Sequence, residues 1–383
     1  MSTQSDTSSH RLRIDIVGSF LRPANLKHAY AAHAAGEIDD LALQQIQDDA
    51  IRELVTTQEA HGLPVITDGE YRRFNFMESF RDVAGMEEWR SRLTRNISSL
   101  AAQRDAHQDG PRQGTNPTLM GRVPVGQRLR LLRNRPKAEY ELAQSLTGSP
   151  VKTTVINVDR LAATVDVESS RPVYRTTAEL VSDIVAVQRE IIGGLRAAGC
   201  GYVQIDGPEY TAFVDPPSVD AMKARGEAPM ERLERAIAAD NAVIDAFGDV
   251  MFGMHLCRGN RHSRWHREGK YDAIAERVFS GLRHQRLLLE YDDERSGDFR
   301  PLRFVPKDKT VVLGLFTTKT SHLESKDDIK RRIEEASRYV PIEQLALSPQ
   351  CGFASDIAGN LITEDSQWRK IDLMLETAQE IWG

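Results

Sequence analysis

Two periodicities alternate along this chain. Short runs rich in aliphatic and β-branched residues read as strands: RIDIVGS (13–19), LPVITDGE (63–70), PVKTTVIN (150–157), YVQIDGP (202–208), DVMFGMHLC (249–257), RLLLEYD (286–292), TVVLGLF (310–316) and QLALSPQC (344–351). Between them lie segments with apolar residues three and four apart, such as IDDLALQQIQDDAIRELVTTQEAHG (38–62) and TTAELVSDIVAVQREIIGGLRAAGC (176–200). Glycine near the end of the second predicts a helix C-cap, and SQWRKIDLMLETAQEIW (366–382) predicts a last helix. Strands alternating with helices predict βαβ units on a parallel sheet, and eight strands are the number of a (β/α)8 TIM barrel. One stretch, about 71–149, breaks the alternation and predicts a long insertion after strand 2, with some helix of its own. Long connections at strand C-terminal ends often cover active sites. Residues 1–12 are polar and predict a disordered tail, leaving 13–383 as a single barrel domain.

Composition narrows the function classes. A chain of 383 residues, 40% hydrophobic and 28% charged, buries a barrel core without bias toward disorder or coiled coil. A net charge of −6 provides no global field for nucleic acid or anionic membrane. No apolar run approaches the roughly 20 residues that span a bilayer, and the N-terminus lacks an apolar signal-peptide centre. The expectation is a cytoplasmic protein with no nucleic-acid or membrane partner. Three cysteines at wide spacing make no disulfide framework. Cys200, in AAGCGYV, reads as a small apolar residue at a helix-to-strand turn.

The unusual polar residues fall at strand C-terminal ends: Ser19, Asp68 and Glu70, Asp206, His255 and Cys257, Glu290, Lys319, and Cys351. Core packing predicts apolar residues there; a barrel gathers those ends at one mouth, where its chemistry is done. His255 and Cys257 share one side of an extended segment because side chains alternate. Cys351 adds a second sulfur and Glu290 an oxygen, a donor set that suits tetrahedral zinc. On spacing alone, a packed strand with an incidental His and Cys stays open.

Taken in order, IVGSF, ITDGEYRRFNFMESF, QIDGPEY, HLC, LLLEYDD and PQCGF resemble motifs of the cobalamin-independent methionine synthases, within the zinc-dependent thiol alkyltransferases. The resemblance implies that His255, Cys257, Glu290 and Cys351 hold zinc, and that Ser19, Glu70 and Asp206 hold a thiol substrate, the two carboxylates facing its ammonium group. It implies zinc-dependent methyl transfer to a small thiol, most readily homocysteine giving methionine, through attack by the zinc-held thiolate on an alkyl donor.

Three departures bear on the donor. Full-length methionine synthases carry a second, N-terminal barrel. The stretch LTGSPVKTTVINVDR lacks the tryptophan that folate-bound members have there. Where the family has a proton-donating histidine, LGLFTTKTSHLES places Lys319, with His322 three residues on; these two are the candidate catalytic residues. A lysine is a poor acid at neutral pH but a good anion anchor. Arg258, Arg261 and Lys319 would suit the sulfonate of coenzyme M, so a zinc-dependent epoxyalkane:coenzyme M transferase is the alternative. A non-catalytic barrel with structural zinc is a minor one, because structural sites use tight local spacings.

Overall fold

A computed structural model describes residues 12–92 and 122–383. The expectations on residues 1–11 and on 93–121 of the insertion lie outside the described residues.

Six parallel strands form one sheet in chain order: β3 (Lys152–Ile156), β4 (Tyr202–Asp206), β5 (Met251–Leu256), β6 (Arg286–Glu290), β7 (Thr310–Phe316) and β8 (Leu345–Pro349). Nearly every strand residue is buried, as a parallel sheet covered by helices requires. Its two outer strands are joined to the N-terminal segments. Ile14 bridges Leu347 on β8, and Ile66 bridges Val151 just before β3, both in parallel. The two segments meet each other through Phe20 N to Gly69 O (3.3 Å) and Thr67 Oγ1 to Gly18 O (2.7 Å). Eight chain segments therefore follow one another around a (β/α)8 barrel, as the alternation predicted.

The first two expected strands are reduced to single bridges. Pro64 has no N–H for a ladder, and Gly18 and Gly69 take positive φ of 146° and 66°, which turns the chain out of extended geometry. A Cβ on Gly18 would come within 2.7 Å of the Thr154 methyl, so the close approach itself requires glycine.

The long helices fall where the periodicity put them: Asp40–Ala60, Thr177–Ala197 and Glu364–Trp382. Asp39, Thr176 and Thr363 accept backbone N–H bonds at their N-termini. Gly199, at φ 98°, ends the second. Described parts of the insertion hold a 3-10 turn (Phe76–Phe80), a short antiparallel pair, β1 (Val83–Ala84) with β2 (Arg130–Leu131), and a helix, Arg135–Ser145.

The barrel interior is not wholly apolar. Asp15 is fully buried and takes Lys152 Nζ at 2.6 Å, Tyr202 Oη at 2.7 Å and Arg286 Nε at 3.1 Å. Lys152 also donates to Gln204 Oε1 at 2.8 Å, and Gln204 Nε2 donates to Val17 O at 2.6 Å and Asp206 Oδ1 at 2.7 Å. Burial alone would raise the Asp15 carboxyl; the Lys152 and Arg286 charges outweigh it and hold it below the ordinary carboxylate range.

Removing one partner of a buried ion cluster leaves charge uncompensated, at a cost of about 3–5 kcal/mol. Lys152→Met is expected to lower unfolding stability by that amount in a urea titration. A loss below about 1 kcal/mol would mean that Arg286 and Tyr202 suffice for Asp15.

Candidate metal centre

β5 ends MFGMHL, with His255 facing the barrel interior, and Cys257 follows one residue past the strand. Cys351 follows β8 by two residues. His255 Nε2 and Cys351 Sγ stand 3.6 Å apart, and donor atoms of His255, Cys257 and Cys351 all lie within 4.8 Å of one another. All three residues are buried. A hydrogen bond from the Cys351 thiol, and then the neighbouring His255, hold the Cys257 thiol well below its usual range. Burial and the Cys257 charge drive Cys351 the other way. The two thiols are thus pushed in opposite directions. Burial pulls the His255 imidazole down, but Cys257, Asp206 and Glu290 outweigh it and leave it raised.

These residues chemically fit a metal. Two sulfurs and an imidazole are the donors that zinc selects. His255 Nδ1 is buried with no partner, so Nε2 is the nitrogen turned to the sulfurs.

The cluster opens into a pocket also lined by Ser19, Glu70 and Asp206, the three residues expected to hold a substrate. Asp206 ends β4 beside His255 in register, and burial with the nearby Glu70 charge pushes its carboxyl up to about 7. Glu70 adopts φ 59°, a strained conformation for a residue with a Cβ. Its Oε1 accepts from Thr154 Oγ1 at 2.7 Å and lies 3.6 Å from Arg73 Nη1, while Oε2 is buried with no partner. Ser19 Oγ accepts from Ala354 N at 3.3 Å. A Cβ on Gly352 would sit 2.0 Å from that oxygen, which is why glycine follows Cys351.

Four expected residues stand elsewhere or do other work. Glu290 is not among the three clustered donors: its Oε2 accepts from Arg258 N at 2.5 Å, and its Oε1 lies 3.7 Å from Lys319 Nζ. Arg258 lines the pocket, but its guanidinium donates to Gly269 O at 2.7 Å and lies over the Tyr271 ring. Lys319 is buried between Glu290 and Asp292, the latter at 3.5 Å. Arg261 Nε lies 3.1 Å from Asp356 Oδ2, so all three cations offered for a sulfonate are bound to groups of the protein itself, and the coenzyme M alternative loses them. His322 is exposed on the loop after β7, where its carbonyl accepts from Lys370 Nζ; its ring is not part of the pocket lining.

Several pocket residues escaped the sequence reading. Glu209, just past β4, binds Arg160 Nη1 at 2.7 Å and Arg267 Nη2 at 2.9 Å. Burial opposes its ionisation, but Arg267, Arg160 and Arg232 hold it far below the usual carboxylate range. Asn260 donates to Gly352 O at 2.7 Å and accepts from Asn360 Nδ2 at 3.0 Å, tying the two cysteine-bearing loops together. An acidic residue directly after a strand end was the legible signal for Glu209; nothing local marks Asn260. No described helix is long and apolar enough to cross a membrane.

Comparison with known proteins finds relatives along nearly the whole chain. The chain is 37% identical over 379 residues to the uncharacterized protein YxjG of Bacillus subtilis, covering 97% of this chain and 94% of that one. It is 22% identical over 340 residues to a methionine synthase of Sulfurisphaera tokodaii, covering 88% and 84%. A Listeria monocytogenes structure, provisionally named a vitamin-B12 independent methionine synthase, superposes with TM-score 0.72 at 26% identity over 96% of this chain and 97% of that one. A B12-independent methionine synthase from Shewanella, solved with selenomethionine, superposes with TM-score 0.68 at 14% identity, with 97% of each chain covered. Residues 14–365 match the model of the cobalamin-independent synthase catalytic domain, and the chain belongs to that family.

Proposed function

We propose that this protein is a zinc-dependent methyltransferase that methylates a small amino-acid thiol, homocysteine, to give methionine. One observation carries the reading: the buried His255–Cys257–Cys351 cluster opens into the same pocket as the carboxylates of Glu70 and Asp206. A structural zinc scaffold would close its site; this cluster lines a cavity.

His255, Cys257 and Cys351 would hold the zinc, with Glu290 as the fourth donor. Zinc, when bound, supplies the Lewis acidity that keeps a substrate thiol ionised near neutral pH. Glu70 and Asp206 bind the substrate ammonium; the unpartnered Oε2 of Glu70 is the acceptor left open for it. Gln204 fixes the orientation of Asp206, and Arg73 and Thr154 fix that of Glu70. With the amino acid anchored, its sulfur is aimed at the donor methyl carbon in line. The sulfur–carbon bond forms as the bond from methyl to donor breaks, so no group of the protein is alkylated. Positioning and exclusion of water are the protein's share of the rate.

Cys351→Ser is expected to lose both zinc, by elemental analysis, and methyl transfer to homocysteine. Full activity in a zinc-free Cys351→Ser protein would end the proposal. Asp206→Asn is expected to raise KM for L-homocysteine by roughly 10–100-fold, the scale of one charged hydrogen bond. Binding of 4-mercaptobutyrate, which lacks the ammonium group, should change far less. Equal losses for both thiols would detach Asp206 from amine recognition.

A further inference from the structure

Glu139 is a buried carboxylate that does not line the pocket. It lies on the insertion helix Arg135–Ser145, and its Oε2 accepts from Arg73 Nε at 3.0 Å and Nη2 at 2.6 Å. The same guanidinium serves Thr154, Nη1 donating to Oγ1 at 2.9 Å and Nη2 to the carbonyl at 3.0 Å. Thr154 Oγ1 donates in turn to Glu70 Oε1 at 2.7 Å, so a hydroxyl links the arginine to Glu70, 3.6 Å from it. The neighbouring cations have other partners. Arg72 pairs with Asp48, Arg135 with Asp82 at 3.1 Å, and Arg22 with backbone carbonyls, those of Glu70 at 2.8 Å and Arg73 at 3.1 Å among them. Asp68 Oδ1 accepts from Glu70 N at 3.0 Å and fixes its backbone. Glu139 Oε1, Asp68 Oδ2 and Glu70 Oε2 are all buried without a hydrogen-bond partner, but of these three residues only Glu70 belongs to the pocket lining.

We propose that Glu139 is a positioning residue for amine recognition: it takes up the charge of Arg73, so that Glu70 keeps an uncompensated negative charge at Oε2 for the substrate ammonium group. This rests on the amino-acid reading of the pocket above. Ionised, Arg73, Glu139 and Glu70 carry one positive and two negative charges, and the negative charge left over is met by the ligand. Opposite charges attract strongly in a buried site. With glutamine at 139, Glu70 becomes the carboxylate nearest Arg73 in this triad, and the pair is neutral before any substrate arrives. An ammonium group would then compete with a cation already in place. The Thr154 hydroxyl serves the same end, because it bonds both Arg73 Nη1 and Glu70 Oε1 and holds them out of direct contact. The insertion helix thus sets the charge of a pocket that its own glutamate does not line.

The test is isothermal titration calorimetry on the full chain, with L-homocysteine and with 4-mercaptobutyrate, the same thiol without its ammonium group. Glu139→Gln is expected to weaken L-homocysteine by roughly 10-fold, the scale of a charge-assisted hydrogen bond, and to leave 4-mercaptobutyrate unchanged. Glu139→Asp, which keeps the charge, retains most of the wild-type discrimination between the two thiols. Discrimination lost as fully in Glu139→Asp as in Glu139→Gln makes Glu139 a packing residue and overturns the proposal. Thr154→Val decides the matter if Glu139→Gln does not fold, since it removes the hydroxyl link and no charge. Arg73 and Glu70 then close on each other, and L-homocysteine alone weakens. In either variant, an equal loss for both thiols or no loss for either overturns the proposal. Wild-type protein that binds the two thiols equally overturns the amine reading of Glu70 and Asp206 itself, and the role of Glu139 with it.

Discussion

One buried carboxylate, Asp15, holds the barrel to its first segment. That segment has a single backbone bridge to β8, too little to fix its register. Asp15 supplies what the ladder lacks, because Lys152 on β3, Tyr202 on β4 and Arg286 on β6 all converge on it. Four segments of the ring are thereby pinned through the interior. The same network rises toward the mouth: Lys152 holds Gln204, and Gln204 holds both Val17 O and Asp206. The orientation of a pocket-lining carboxylate is thus tied to an ion cluster at the opposite end of the barrel.

That arrangement explains which parts of the fold were legible. β3 to β8 are apolar enough for their period to show, and each was placed within a residue or two of its observed bounds. The first two segments read equally well as strands, but Gly18 and Gly69 take positive φ and Pro64 lacks the N–H a ladder needs. A window of sequence registers their apolar neighbours and cannot register the close approach of Thr154 to Gly18. Lys152 and Arg286 sat in plain view inside strand runs. Their partners lie 137 and 271 residues away, so no local pattern marks them as paired.

The candidate site divides in the same way. Residues at strand ends were legible, because a polar side chain there breaks the core pattern: Ser19, Glu70, Asp206, His255, Cys257 and Cys351 all reach one pocket. Residues whose role is set by a loop were not. His322 follows Lys319 by three positions, yet the chain turns it outward, and its carbonyl caps Lys370. Arg258 adjoins Cys257, but its cation is consumed by a carbonyl and an aromatic face. Position along a strand predicts where a side chain begins; only the surrounding loops decide where its charge ends.

Charge accounting then joins the two halves of the molecule. The interior carries an ion cluster at its base, one carboxylate between two cations, and an acidic cluster at its mouth. At the mouth, the Cys257 thiol is held well below its usual range, and Glu70 and Asp206 line the same cavity. Glu209 is neutralised by arginines, and Glu290 and Asp292 by Lys319 and Arg295. Glu70 has Arg73 at 3.6 Å, and its Oε2 is left without a partner among the described residues. A buried pocket with that surplus is built to receive positive charge twice, once as a soft cation at sulfur and nitrogen and once as an ammonium group at oxygen. On the proposed function, a metal and the ammonium group of an amino-acid thiol supply the two.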